Sequence, residues 1–301
     1  MNKYNYITII IIITIIIILN YVRIFELFYR TFIHPFILLD HNLIKKEYYD
    51  YADEKIRNQS IIYKEIYDVP NNIFQIYIHN DKIPLEIIEN IKYIKYKNSE
   101  WKYYLITDEN VKEWLDNIDD PIFYKIYSDI SDEYPAAKSD LLRYLLMKHY
   151  GGVYLDIKSG SKFPLDTLIK PKVMLFKWCA IHTGLVKACF SYRRERKYID
   201  ELVQWLLIYP KGHYFIDAVL NNIQKKYEEY KNDEKLFQDI YAFTGPDIYT
   251  DTIIPLTNDK NAIIYPNTVD LGFIYSVLKY HHKCYSKSKH YLDIKKRKII
   301  N

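Results

Sequence analysis

The sequence predicts an α/β protein built on parallel strands, and three observations carry that reading. From residue 70 onward, short apolar runs alternate with stretches of helical periodicity. One of those runs, residues 153–157, is so nearly continuous in its apolar character that it reads as a strand in the middle of a sheet. The single charge in that run, Asp156, stands near its carboxyl end. In open α/β sheets ligands bind just outside the carboxyl ends of the strands.

The elements follow in order. Residues 73–78 lie between Asn71-Asn72 and Asn80-Asp81 and read as the first strand. Pro84 opens a helix carrying Ile87, Ile88, Ile91 and Ile94 at helical spacing. Residues 101–106 read as the second strand, and Thr107 as the cap of a helix through Val111, Trp114 and Leu115. Pro135 precedes a helix over residues 136–149. On it Leu141, Tyr144, Leu145 and Lys148 share one side, while Asp140 and Arg143 lie a turn apart on another. Gly151 falls where a helix needs positive φ to stop. The strand at 153–157 then begins, and alternation along it places Asp156 and Lys158 on the same side. Residues 173–178 read as a further strand, and residues 199–208 as a helix. Pro210-Lys211-Gly212 breaks that helix before an amphipathic one over residues 215–230. No internal repeat is visible, and residues 70–290 form one domain of catalytic size.

Composition excludes several classes. Of 301 residues, 49% are apolar and 27% charged, which rules out disordered and fibrous chains. A formal charge of +4 is too mild to indicate a nucleic-acid partner. Cys179, Cys189 and Cys284 are odd in number and lack metal spacing, so neither a disulfide framework nor a zinc site follows. Tyr is abundant and Ile crowds the chain, the bias of an AT-rich coding sequence, while only 7 residues are Gly. Two of these adjoin, Gly151 and Gly152.

The N-terminus departs from this soluble composition. Residues 4–22 hold no charge, and a membrane span needs about 20 apolar residues. No small-residue cleavage pattern follows, so residues 1–22 read as an uncleaved, single-pass signal anchor in a lipid bilayer. Its orientation is not clearly signalled, with Lys3 before it and Arg23 and Arg30 after it. Residues 23–69 read as a stem. Residues 291–301 read as a basic tail, and the lysine-rich stretch 283–298 as either a disordered end or a segment lying against anionic lipid. Arg193, Arg194, Arg196 and Lys197 read as a solvated helix end in preference to a phosphate or acceptor site.

The segment Ala136-Ala137-Lys138-Ser139-Asp140-Leu141-Leu142-Arg143-Tyr144, followed by Gly151-Gly152-Val153-Tyr154-Leu155-Asp156-Ile157-Lys158, resembles the sugar-binding region of the DXD-motif glycosyltransferases of family 32. That family includes initiating mannosyltransferases and capsular-polysaccharide transferases. Its pattern is an Ala-x-x-Ser/Ala-Asp-x-x-Arg-Tyr helix, then Gly-Gly-x-Tyr-x-Asp-x-Asp. Gln75 lies in a match to its first strand, where Phe74 replaces the usual His. Thr244-Gly245-Pro246 matches its Thr-Gly-Pro turn, and His281-His282 with Ser286 resembles its terminal motif, with Lys287 in the place of Trp. Gln204-Trp205 and Lys211-Gly212-His213 fall in further matching segments.

The resemblance implies a GT-A-like nucleotide-sugar-binding fold with a mixed, mostly parallel central sheet. It implies a nucleoside-diphosphate sugar as donor, a glycan or glycoconjugate as acceptor, retention at the anomeric carbon, and a divalent cation, manganese above others. The implied donor-binding residues are Asp140, Arg143, Tyr154, Gly151, Gly152 and Gln75. Asp156 and Lys158 are the implied catalytic pair, with Asp156 and His282 as metal ligands.

The chemistry of the core can be argued from its residue types. The leaving group is a nucleoside diphosphate, whose charge must be neutralised as its bond to the anomeric carbon breaks. Two carboxylates in Asp-x-Asp hold a cation that bridges the phosphates. Glycines there allow a sharp helix-to-strand turn and a close approach of ligand to backbone. This chain departs from the pattern at Lys158, which replaces the second carboxylate. Either Asp156 holds the cation with help from elsewhere, His282 being the candidate, or Lys158 supplies positive charge to the diphosphate directly. A third alternative is an impaired enzyme serving as a sugar-binding or structural surface protein. Asp140 and Arg143 also admit a plain reading as a helical ion pair, and Tyr154 as a core residue.

Overall fold

The computed structural model describes residues 68–78, 82–170, 172–178, 201–233, 238–258, 261–266, 268–278 and 298–300. The apolar segment at 4–22, the stem up to residue 67, the three cysteines, the basic group at 193–197, His281 and His282 lie outside them. Among the described residues no helix is long and apolar enough to cross a membrane.

The elements run β1 (Asn72–Tyr77), α1 (Leu85–Lys97), β2 (Lys102–Thr107), α2 (Val111–Ile118), α3 (Pro121–Asp129), α4 (Pro135–His149) and β3 (Gly152–Leu155). Then come β4 (Gly160–Ser161), α5 (Leu165–Leu168), β5 (Val173–Phe176), β6 (Leu206–Tyr209) and α6 (Tyr214–Asn232). The last are α7 (Ile240–Phe243), α8 (Pro246–Ile253), β7 (Ala262–Tyr265) and β8 (Phe273–Ile274). The central sheet has four strands in the order β2-β1-β3-β6. β1 is parallel to β2 and β3, and β6 runs antiparallel to β3, so the sheet is mixed and mostly parallel, as expected. Two small pairs flank it, antiparallel β4–β8 and parallel β5–β7.

β1 and β3 are the inner strands, and apart from Asn72 their residues are buried, which is why their sequences do not alternate. α4 packs against β1, β3, β6 and α6. It is buried without a break from Asp140 to Met147, so its polar pair is part of the interior. Pro135 occupies its first turn, where a missing N–H costs nothing. At the other end Gly151 adopts φ 65° and donates its N–H to the Leu146 and Met147 carbonyls, stopping the helix as the sequence predicts.

Three expectations need correction. The apolar residues at 206–208 belong to strand β6, not to a helix, and Leu202 forms an isolated bridge with Lys177. A short run buried on both faces has no periodicity to separate the two states, and here the partner strand β3 decides. The strand carrying Asp156 ends at Leu155, and Ile157 and Lys158 form a turn, so alternation does not relate Asp156 to Lys158. Thr107 does not cap α2. Asn110 precedes that helix and turns its side chain back, accepting from the Thr107 N–H at 2.9 Å and donating to the Leu105 carbonyl at 3.0 Å. Of the basic tail only residues 298–300 are described; Ile299 and Ile300 are buried, and Ile300 forms a bridge with Ile130.

Candidate active site

Asp156 stands one residue beyond β3, at the carboxyl edge of the sheet. Its N–H donates to the Trp205 carbonyl at 2.8 Å, which ties it to the neighbouring chain before β6. Its side chain is a quarter exposed. Oδ1 accepts a hydrogen bond from the Tyr154 hydroxyl at 2.9 Å and lies 3.6 Å from Arg143 Nη1. No hydrogen bond or ion pair of Oδ2 with a described residue is present.

Behind Asp156 sits a buried charged pair. Arg143 Nη2 donates to Asp140 Oδ1, and Nη1 donates to the Gln204 carbonyl at 2.7 Å. The guanidinium lies 5.0 Å from the centre of the Tyr154 ring. Burial opposes its charge, but its surroundings, with the Asp156 carboxylate beside it, outweigh that and raise its pKa above the ordinary arginine value. Asp140 and Arg143 are only 7% and 5% exposed, which excludes an ordinary solvated helix pair. Burial drives the Tyr154 hydroxyl far above its usual range, so it stays a neutral donor to Asp156. Tyr144, a turn along the same helix, donates its hydroxyl to Gln204 Oε1 at 2.6 Å.

The turn after Asp156 is held from beneath by Gln75 of β1, which is fully buried. Its Nε2 lies 3.0, 3.4 and 3.3 Å from the carbonyls of Asp156, Ile157 and Ser159. Its Oε1 accepts from the Tyr103 hydroxyl at 2.7 Å. Asn90 of α1 donates to the Ser159 carbonyl at 2.9 Å. From the other side Val277 donates its N–H to the Lys158 carbonyl at 2.9 Å, and Ser159 Oγ donates to the Tyr275 carbonyl at 2.7 Å. Lys158 is thereby fixed with Nζ 3.0 Å from the Tyr275 hydroxyl and 4.5 Å from that ring's centre. Burial disfavours its charge, yet the Tyr275 hydroxyl and the Asp156 carboxylate outweigh this and raise its pKa above the ordinary lysine value. The Tyr275 ring packs edge-on against Trp178 and Trp205 at 4.9 and 5.4 Å.

The glycines contribute differently from expectation. A Cβ on Gly151 would lie 2.4 Å from the Lys211 nitrogen, and one on Gly152, at φ 116°, 2.4 Å from the Asn72 carbonyl oxygen. The close approach they permit is therefore of protein backbone to protein backbone. Among the described residues Gln75 and Tyr154 likewise make polar contacts with the protein, shaping the turn and Asp156. The structure thus brings Asp140, Arg143, Tyr154, Asp156, Lys158 and Gln75 into one neighbourhood, while His282 lies outside the described residues. Two neighbours were not among the sequence candidates. Gln204 had only a weak signal within a matching segment, and Tyr275 had none, being one of 33 tyrosines.

A divalent cation does not fit the described donor set by itself. Among the described residues no group of three His, Cys, Asp or Glu side chains converges to hold one. One oxygen of Asp156 is already engaged by Tyr154 and Arg143, and an ammonium stands where Asp-x-Asp has its second carboxylate.

Residues 84–174 match the family model described as "Glycosyltransferase sugar-binding region containing DXD motif". That stretch begins at Pro84 before α1, takes in α4 and β3, and ends within β5, so the match includes Asp140, Arg143, Tyr154, Asp156 and Lys158. The chain is also 25% identical, over 243 residues, to the initiation-specific alpha-1,6-mannosyltransferase of Candida albicans, a match covering 70% of this chain and 60% of that one. It is 28% identical, over 146 residues, to a mannosyl phosphorylinositol ceramide synthase of Saccharomyces cerevisiae, covering 48% of this chain and 37% of the other. The chain thus spans 60% and 37% of the length of these two relatives. Among solved structures, a PaToxG glycosyltransferase aligns with a TM-score of 0.49 at 16% identity, over 74% of this chain and 83% of that one.

Proposed function

We propose that the chain is a membrane-anchored glycosyltransferase with a GT-A-like fold. It would move a hexosyl group from a nucleoside-diphosphate sugar to a hydroxyl of a glycan or glycoconjugate, with retention at the anomeric carbon. The observation that carries the reading is Asp156 itself: a partly exposed carboxylate, backed by the buried Asp140–Arg143 pair at the carboxyl edge of a mostly parallel sheet. The family match over residues 84–174 supports the reaction class, and the mannosyltransferase named among the relatives is consistent with a hexosyl donor. In this reading residues 1–22 serve as the anchor, the bilayer and the two sugar substrates are the partners, and nucleic acid is not.

The residues divide the task. Asp156 Oδ2 accepts from a hydroxyl of the donor sugar, and the Tyr154 hydroxyl and Arg143 hold its other oxygen so that Oδ2 is aimed. Arg143 and Lys158 supply fixed positive charge beside the departing diphosphate, on which negative charge grows as the glycosidic bond breaks. Gln75, Gly151 and Gly152 act through the shape of the turn and not by touching the donor. The described donor set does not fit manganese by itself.

The test is a screen of nucleotide sugars with the full chain, following release of nucleoside diphosphate with and without glycan acceptors. Asp156→Asn should lower turnover by about a hundredfold or more without lowering the unfolding midpoint. A folded wild-type chain that releases diphosphate from no donor would sink the reading and leave the sugar-binding or structural surface protein in its place.

A further inference from the structure

We propose that in this chain the Lys158 ammonium replaces the divalent cation at the donor's diphosphate, so that nucleoside-diphosphate binding is independent of metal. The proposal rests on the glycosyltransferase reading above and deepens it at one position. Charge comes first. Two carboxylates with a divalent cation carry no net charge, and neither does one carboxylate with one ammonium. Asp156-Ile157-Lys158 therefore presents the phosphates with the same balance that Asp-x-Asp reaches only after taking up a metal.

Geometry comes second. A lysine serves this role only when its long side chain is held in place. Here the backbone of the turn is clamped by Gln75, Asn90, Ser159 Oγ and the Val277 N–H. The ammonium rests on Tyr275, and that ring is braced by Trp178 and Trp205. Of the three N–H donors of the ammonium, one is taken by the Tyr275 hydroxyl among the described residues, which leaves two for phosphate oxygens. Third, Asp156 is a poor ligand for a second cation, since Arg143 already lies 3.6 Å from Oδ1 and the Lys158 charge is felt at the same carboxylate. A metal ion entering there would meet two resident positive charges.

The experiment is isothermal titration of the full chain with GDP, UDP, CDP and ADP, in EDTA and again in manganese chloride. At least one should bind in EDTA with a Kd within about threefold of its value in manganese. Lys158→Ala should weaken that binding about tenfold or more, and Lys158→Arg by less than about threefold. Lys158→Asp should bind only when manganese is present. Wild-type binding that disappears in EDTA and returns with manganese overturns the proposal while leaving the transferase reading intact. So does unchanged binding by Lys158→Ala. Absence of binding by all four nucleotides in both buffers overturns the proposal and the transferase reading together. The EDTA comparison uses wild-type protein alone, so a variant that fails to fold does not blunt it.

Discussion

Gln75 shows how one buried amide can govern a site without lining it. Its Nε2 spans the carbonyls of Asp156, Ile157 and Ser159, and its Oε1 is satisfied by Tyr103. Removing the amide takes the donor from the Ile157 carbonyl and the acceptor from the Tyr103 hydroxyl, and leaves the Asp156 and Ser159 carbonyls with only the Ser159 N–H and Asn90, at about 1–3 kcal/mol for each buried group left unsatisfied. Gln75→Ala should therefore lose about 2–4 kcal/mol of stability in a urea titration. If the protein stays folded, donor KM should rise more than kcat falls, because the turn carrying Lys158 loses its floor. A residue that touched only the donor would change KM and leave the urea midpoint where it was. The Asp140–Arg143 pair makes a related point. At i,i+3 it is indistinguishable in sequence from a surface ion pair, and only burial among Tyr154, Asp156 and the Gln204 carbonyl gives it another meaning.

Among the elements, the turn from α4 into β3 depends most on residue type. Gly151 is held at φ 65° with the Lys211 backbone 2.4 Å from where a Cβ would stand. Gly212 has a similar φ of 69° but nothing within 4 Å of its Cβ position. Comparing the two separates backbone strain from collision. Gly212→Ala should cost about 1 kcal/mol, the left-handed penalty alone, and Gly151→Ala about 3 kcal/mol or more by the same denaturant titration. Equal losses would show that the contact with Lys211 relaxes freely. Pro210, Lys211 and Gly212 are thus more than a break before α6, since they form the surface against which the α4 turn closes. The Gly212 N–H completes that closure by donating to the Lys148 carbonyl at 2.9 Å.

Across the whole molecule, the chain's last described residues pack at the end of α3 and the start of α7. Ile299 and Ile300 are 1% and 3% exposed. Gln238 Oε1 accepts from both of their N–H groups, and the Ser131 N–H donates to the Ile299 carbonyl. Ile299 and Ile300 therefore sit in a clasp formed by the residues that follow α3 and precede α7. Ile299→Ala and Ile300→Ala should each cost about 2–4 kcal/mol and lower the melting temperature. Substitutions of exposed lysines elsewhere should leave it within about a degree or two. No change in melting temperature for either isoleucine variant would count against this docking.

The sequence by itself determined the class of fold, most of its elements, and the neighbourhood of the site. Helical spacing marked α1 and α6, and Pro135 and Gly151 bounded α4. The unalternating run before Asp156 signalled an inner strand at whose carboxyl end chemistry belongs. These are local properties, written in periodicity and in backbone conformations that few residue types adopt. Tertiary structure alone decided the rest. The apolar residues at 206–208 became a strand because β3 offered a partner edge. Asp156 and Lys158 left the strand because Gln75, distant in sequence, takes up the carbonyls of the turn between them. Tyr275 joined Lys158 from more than a hundred residues away, with nothing in its sequence surroundings to mark it. Such contacts form because buried polar groups must find partners wherever the fold brings them, and a linear pattern does not record where that is.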